Sequence, residues 1–168
     1  MTEPRLIKEG QLILVGFSFF GDPFRSNAGW TEENEIGRVW QRFMAYLAQH
    51  RPQIKHVKTD AVFYEVHIEH QETQRTGEFE VLVGLQVNEL QDVPVELTIK
   101  ILPAATYAVF TLAGPEITSD WSKSIGDWMA REGYVRPFPY GFQRYDERFK
   151  GVDRIDESIL EIHVPVTR

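Results

Sequence analysis

The chain carries the same order of predicted elements twice, and this repeat constrains the fold more than any other feature. The first copy begins with the apolar segment 12–19, which has the composition of a strand. A helix is expected next, with Thr31 as its N-cap, because apolar residues then recur at helical spacing. Strands at 61–69 and 79–87 complete this copy, so its order is β-α-β-β.

The second copy has the same order. It opens with a strand over 95–114 that is interrupted near Pro103, where the chain cannot donate a ladder hydrogen bond. A helix follows and ends at Gly133, a residue type typical of the position after a helix. The segments FPYGFQRYDERF and SILEIHVPV supply the last two strands.

One helix per copy covers only one face of the strands. Joining the strands into one mainly antiparallel sheet, with both helices on one face, solves this and leaves the other face free to curve around a ligand. We therefore predict an α+β fold in a single domain, 1–168, with pseudo-repeats 6–88 and 95–167 and a concave pocket opposite the helices. A generic α+β sandwich with a chance likeness between the halves is the alternative.

Composition narrows the functional classes. The formal net charge is −7, which disfavours direct binding to phosphate backbones and favours cationic ligands. No run approaches the roughly 20 apolar residues of a membrane span, and the first residues lack the apolar core of a signal peptide, so we expect a cytoplasmic protein without membrane contact. The five histidines have no metal-ligand spacing and no phosphate-binding loop is present, so we predict no metal and no cofactor.

The final strand has one apolar and one mixed side. Leucine, isoleucine and valine alternate with Glu161 and His163, so we expect the apolar side to pack on the helices and these two residues to face the pocket. The same alternation in 61–69 sends Phe63 and Glu65, followed by His67, toward the pocket, and Val62, Tyr64, Val66 and Ile68 toward the helices. A rim of solvated polar residues is the competing interpretation.

Three segments carry a resemblance to a known family. They are LPAATYAVFTLAGP at 102–115, IGDWMAREGYVRPFPYGFQRYDERF at 125–149 and LEIHVPV at 160–166. In this order they resemble the GyrI-like effector-binding domains, which have a SOUL-like duplicated β-α-β-β fold. These domains occur alone or behind the DNA-binding part of AraC-type and MerR-type transcription regulators. Because this chain begins directly at the first predicted strand, it is similar to the stand-alone form found on integron cassettes, without a DNA-binding domain.

The resemblance implies a pocket between the repeats. Some family members bind lipophilic cations, several drugs among them, through a buried glutamate and a ring of aromatics. The chain departs from the family pattern at Gln143, where relatives often carry Glu, and at His163, where they often carry Tyr. We therefore predict a small, aromatic-rich, cationic organic ligand with Glu161 as its counter-charge. The residues expected to bind it are Glu161, His163, Glu65, Phe63, Gln143, Tyr145, Tyr140, Trp40, Phe43 and Trp30.

Two other functions stay open. Some stand-alone members hydrolyse strained electrophiles of the cyclopropanoid type, so Glu161 is a candidate general base, with His163 or Tyr145 as the proton donor. This reaction needs no cofactor. Other members act by binding proteins, so an interaction module with a protein partner or a homodimer is the second alternative.

Overall fold

A computed structural model describes all 168 residues and has the predicted α+β fold. Eight strands form one antiparallel sheet: β1 (Arg5–Glu9), β2 (Leu12–Gly21), β3 (Phe63–Ile68), β4 (Phe79–Val87), β5 (Thr98–Leu102), β6 (Ala105–Ala113), β7 (Tyr140–Tyr145) and β8 (Ile159–Pro165). The helices are α1 (Glu35–His50), α2 (Thr73–Thr76) and α3 (Trp121–Glu132). Short 3₁₀ segments occupy Arg51–Gln53, Gly114–Thr118 and Val152–Glu157.

The order of the strands is symmetrical about the contact between β7 and β3. It runs β1-β6-β8-β7-β3-β4-β2-β5, so each half contributes two outer strands and two inner strands. The first strand of each half pairs with the other half, β1 with β6 and β5 with β2. Each half is therefore β-β-α-β-β, with its first strand exchanged into the other half, where the sequence had predicted β-α-β-β.

Both long helices pack on the same face. Phe43 of α1 is buried against Val83 of β4, and Trp128 of α3 is buried in one cluster with Ile162 of β8. Helix α1 begins later than predicted, because Asn34 is its N-cap and accepts a 3.0 Å hydrogen bond from the Gly37 amide.

The opposite face is closed by the curl of the sheet. The connection 10–11 joins β1 to β2, which stand first and seventh in the order, and the connection 103–104 joins β5 to β6, which stand eighth and second. These short links hold the two edges of the sheet near each other. Gly16 and Gly84 face each other across β2 and β4, and a Cβ atom on Gly16 would lie 1.9 Å from the Val83 carbonyl oxygen.

The curled face is filled by side chains from the sheet itself. Its buried cluster includes Tyr64, Leu82, Tyr107 and Phe142 and takes no residue from a long helix. The predicted concave pocket on this face is therefore replaced by packed core.

Candidate functional site

A cavity of about 1190 Å³, here called the main cavity, lies on the helix-bearing face. Its base is formed by β3 and β7, through Phe63, Glu65, Gln143 and Tyr145. Trp40 of α1 and Trp121 of α3 stand on its two sides. This volume exceeds the usual range for small-molecule sites, about 300 to 1,000 Å³, so the cavity accommodates a large organic ligand.

Phe63, Glu65 and His67 of β3 line the main cavity as predicted, but on the face that carries the helices, and the pocket-facing orientation predicted for Glu161 and His163 of β8 is wrong. Alternation fixes which residues of a strand share a face, but it does not say which face receives the helices. Both faces are apolar here because the sheet curls over one of them. Glu65 pairs with Gln143, and Gln143 pairs with Ile162 of the helix-bearing face. Glu161 and His163, which alternate with Ile162, therefore lie on the curled face.

The structure brings together six of the predicted ligand-binding residues. The main cavity is lined by Trp30, Trp40, Phe63, Glu65, Gln143 and Tyr145. Phe43 is fully buried in the core beneath α1, and Tyr140 lies on the curled face, where its hydroxyl is 2.7 Å from that of Tyr107. Neither contributes to the main cavity.

Four aromatic lining residues were missing from the prediction: Phe24, Phe79, Trp121 and Phe149. Phe79 could have been found from the sequence, because it alternates with Val81 and Val83 along β4 and so shares their face. Phe24 and Phe149 come from loops that carry no periodic signal.

Glu65 is the central polar group of the main cavity. It is only 4% exposed, and its carboxylate accepts a 2.6 Å hydrogen bond from the Trp40 indole N–H. The His67 Nε2 lies 2.7 Å from the other carboxylate oxygen. The Tyr145 hydroxyl donates a 2.6 Å hydrogen bond to Gln143 and lies 3.4 Å from Glu65. Burial, and then the charge of Glu65, raise the pKa of Tyr145 well above its ordinary value, so this hydroxyl stays protonated.

The Asp, Glu, Lys and Arg residues that line the main cavity are all acidic. Five carboxylates and no Lys or Arg contribute to the lining: Glu32, Asp60, Glu65, Asp146 and Glu147. Asp60 is paired with Arg51, and Asp146 is paired with Arg148 at 2.7 Å. Glu65 has no Lys or Arg partner, and its carboxylate contacts only Trp40, His67 and the Tyr145 hydroxyl.

Aromatic rings line the cavity around Glu65. The centroid of Trp40 is 4.9 Å from that of Tyr145 and 5.9 Å from that of Phe63. Phe149 continues the wall, 4.8 Å from Tyr145 and 6.4 Å from Trp30. Each ring face attracts a cation by about 0.5 to 2 kcal/mol, depending on how far the pair is removed from water.

Glu161 belongs to a different cluster on the curled face. It pairs with Arg5 at 2.9 Å and with Arg148 at 3.2 Å, and Arg144 lies 3.6 Å away. The pKa of Glu161 is lowered to about 2 by His163 and Arg148, against the opposing effect of burial.

His163 is nearly fully buried beside this cluster. Its ring stacks on Phe142 at 4.6 Å, and its Nε2 lies 3.5 Å from the Glu161 carboxylate, without a regular hydrogen bond at either ring nitrogen. Burial lowers the pKa of His163, which keeps the ring neutral. The polar groups of this face therefore interact with one another and do not line the main cavity.

Two observations bear on other kinds of site. None of the helices combines the length and the apolar character that crossing a bilayer requires. No three His, Asp or Glu side chains converge in a way that could hold a metal ion.

Comparison with known proteins places this architecture in a family. The family model for GyrI-like small molecule binding domains matches residues 2–167. The chain therefore belongs to the GyrI-like family of small-molecule-binding domains, as the sequence resemblance indicated.

A curated relative is the transcriptional regulator BrlR of Pseudomonas aeruginosa. It is 29% identical to this chain over 165 residues, which are 96% of this chain and 54% of BrlR. The chain thus spans about half the length of the curated relative that it matches.

Solved structures share the fold at low identity. SAV2435, solved bound to tetraphenylphosphonium, has a TM-score of 0.71 at 18% identity, and the match covers 99% of this chain and 94% of SAV2435. The integron cassette protein VCH_CASS2 of Vibrio cholerae has a TM-score of 0.63 at 15% identity, with 98% and 96% of the two chains covered.

Proposed function

We propose that this protein reversibly binds bulky aromatic organic cations in the main cavity, with Glu65 as the counter-charge. The observation that carries the proposal is a buried carboxylate without a Lys or Arg partner, in an aromatic cavity whose lining contains no Lys or Arg. A carboxylate in such surroundings gains most from an organic cation that brings its own positive charge and apolar surface.

Hydrogen bonds orient the Glu65 carboxylate before the ligand arrives. The Trp40 N–H donates to one oxygen, and His67 lies within hydrogen-bond distance of the other. These bonds orient the carboxylate beside the rings of Trp40, Tyr145 and Phe63. A cation placed there contacts the carboxylate and the ring faces together.

The relatives are consistent with this class of ligand. SAV2435, which shares the fold, was solved with tetraphenylphosphonium, a cation with four aromatic rings. BrlR is a transcriptional regulator, and we propose for this chain the corresponding role of a ligand sensor.

The test compares two ions of equal shape and opposite charge. Tetraphenylphosphonium and tetraphenylborate are titrated calorimetrically into the protein, and only the cation is expected to bind. Glu65→Gln keeps the side-chain shape and removes the charge, so it should weaken cation binding at least about tenfold, or 1.4 kcal/mol. Equal binding of both ions, or an unchanged affinity in Glu65→Gln, would remove the basis of the proposal.

A hydrolase that uses Glu161 as its general base is not favoured by this geometry. His163 and Arg148 hold the pKa of Glu161 at about 2, so its carboxylate is a poor proton acceptor. It also lies outside the lining of the main cavity.

A further inference from the structure

A second, smaller cavity of about 280 Å³ lies beneath α3, and we name it the side chamber. Its roof is formed by Ile125, Gly126 and Met129 of α3, and its base includes Ile162 and Val164 of β8. The residues of this roof and base are apolar, and the polar lining residues are Glu65, His67, Glu69, Ser122, Arg136 and Gln143. At its outer end Arg136 and Glu69 form an ion pair at 3.1 Å.

The side chamber adjoins the main cavity at Glu65. Five residues line both spaces: Glu65, His67, Trp121, Ser122 and Gln143. The carboxylate of Glu65 therefore stands at the boundary between the two spaces, although its side chain is nearly fully buried.

The side chamber depends on a glycine inside a helix. Ser122, Ile125, Gly126 and Met129 are spaced as one face of α3, and all four line the side chamber. Glycine is a poor helix former, so its place in the interior of α3 has no local conformational benefit. Gly126 is exposed at the edge of the side chamber, and a Cβ atom built on it would meet no atom within 4 Å, so a larger residue fits here without a clash and can extend over the chamber.

We propose that the side chamber is a second subsite, which takes an aryl or branched alkyl arm of the cation bound at Glu65, with Gly126 as a residue that determines specificity. This inference rests on the proposed function. A positive centre must come within about 4 to 6 Å of a carboxylate to pair with it. Because Glu65 stands at the boundary, substituents on such a centre project into both spaces.

The volume of the side chamber is sufficient for one aryl or branched alkyl arm of the ligand. A protein cavity of about 150 Å³ is enough to hold benzene, and the side chamber has 280 Å³. The expected ligand class is therefore a branched cation with its charge at the branch point. A cation with its charge at the end of a long chain would leave the side chamber unfilled.

The methionines allow the two spaces to be observed separately. The chain has three: Met44 lines the main cavity, Met129 lines the side chamber and Met1 lines neither. In protein labelled with ¹³C at the methionine methyl groups, bound tetraphenylphosphonium should give nuclear Overhauser effects from its phenyl protons to Met129. Contacts to Met44 without any to Met129 would overturn the side-chamber assignment and leave the proposed function intact.

A matched pair of variants on α3 completes the test. Gly126→Leu should occupy the side chamber and weaken tetraphenylphosphonium binding at least about tenfold, whereas binding of the small cation phenyltrimethylammonium should be unchanged. Ala130→Leu, on an exposed position outside both linings, should leave both affinities unchanged. Wild-type affinity for tetraphenylphosphonium in Gly126→Leu would refute the second subsite. If neither cation binds the wild-type protein, the proposed function fails, and the subsite fails with it.

Discussion

The two faces of the sheet each bury one glutamate, and the two differ in what surrounds them. Glu65 is 4% exposed and Glu161 is 7% exposed, so burial does not distinguish them. Glu65 is hydrogen-bonded by Trp40 and His67, next to a cavity of about 1190 Å³. Glu161 is paired with Arg5 and Arg148, on the face that the sheet packs against itself.

The partners of a buried carboxylate, and not its burial, therefore distinguish a ligand-binding role from a structural one. An arginine supplies a fixed positive charge, so the carboxylate it pairs with has little to gain from a ligand. A Trp N–H satisfies a lone pair and leaves the charge uncompensated. We therefore assign a stabilising role to Glu161 and propose a ligand-binding role for Glu65.

The strongest test of these different roles for Glu161 and Glu65 is the variant Glu161→Gln. Glu161 is buried, but its arginine partners are partly exposed and Arg148 keeps its pair with Asp146, so the variant is expected to lower the free energy of unfolding by about 2 kcal/mol. Affinity for tetraphenylphosphonium should stay unchanged, because Glu161 is outside both cavity linings. Urea unfolding and calorimetric titration measure the two effects. A loss of cation affinity equal to that of Glu65→Gln would contradict the division between the faces.

Acid unfolding sharpens the same comparison. The pKa of Glu161 is about 2 in the folded protein, against 4.5 for an unperturbed Glu side chain. Its contribution is therefore fully present above about pH 4.5 and is lost as the pH falls toward 2. We expect this loss to be about 2 kcal/mol, because solvent around the partly exposed arginines screens the interaction.

The control for the acid effect is the variant itself. In Glu161→Gln the part of the pH dependence between 4.5 and 2 that belongs to this carboxylate should be missing from urea titrations. Parallel stability curves for the variant and the wild type would show that Glu161 does not stabilise the curled face.

The smallest expected effect concerns the absence of Lys and Arg in the main cavity. Ser122 lines the main cavity and Ser124 of the same helix does not. Ser122→Lys places a positive charge beside the proposed cation site and should weaken tetraphenylphosphonium binding about fivefold, or roughly 1 kcal/mol. Ser124→Lys adds the same net charge outside the cavity and should have little effect. Equal losses would mean that the net charge of the protein, and not the cavity, attracts the cation.

Local signals in the sequence were sufficient to predict most of the strands and helices. The predicted strand 79–87 has the bounds of β4, and the predicted end of α3 at Gly133 is correct because this glycine takes up the left-handed conformation there. Strand β1 was missed, since its five residues are mostly exposed and its partner β6 is distant in the chain. Thr31 and Asn34 are both good N-caps, so the start of α1 could not be decided locally.

The site was only partly predictable. Alternation correctly grouped Phe63 with Glu65, and the register of β3 and β7 brings this pair together with Gln143 and Tyr145. It could not decide between Glu65 and Glu161, because the deciding arginines come from β1, from β7 and from the loop after it. The distances between these arginines and Glu161 depend on the curl of the sheet, which no local sequence pattern encodes.

The exchange of first strands between the halves also determines how this chain can fold. Arg5 pairs with Val109, and Leu12 pairs with Leu102, so neither half can complete its backbone hydrogen bonds alone. Contacts between residues this far apart require large loops to close before they contribute any stability, and chains dominated by such contacts fold slowly. Synthesis of the first half therefore leaves β1 and one edge of β2 unpaired until the second half follows. The two halves should unfold in a single cooperative step, because releasing one exchanged strand removes hydrogen bonds from both.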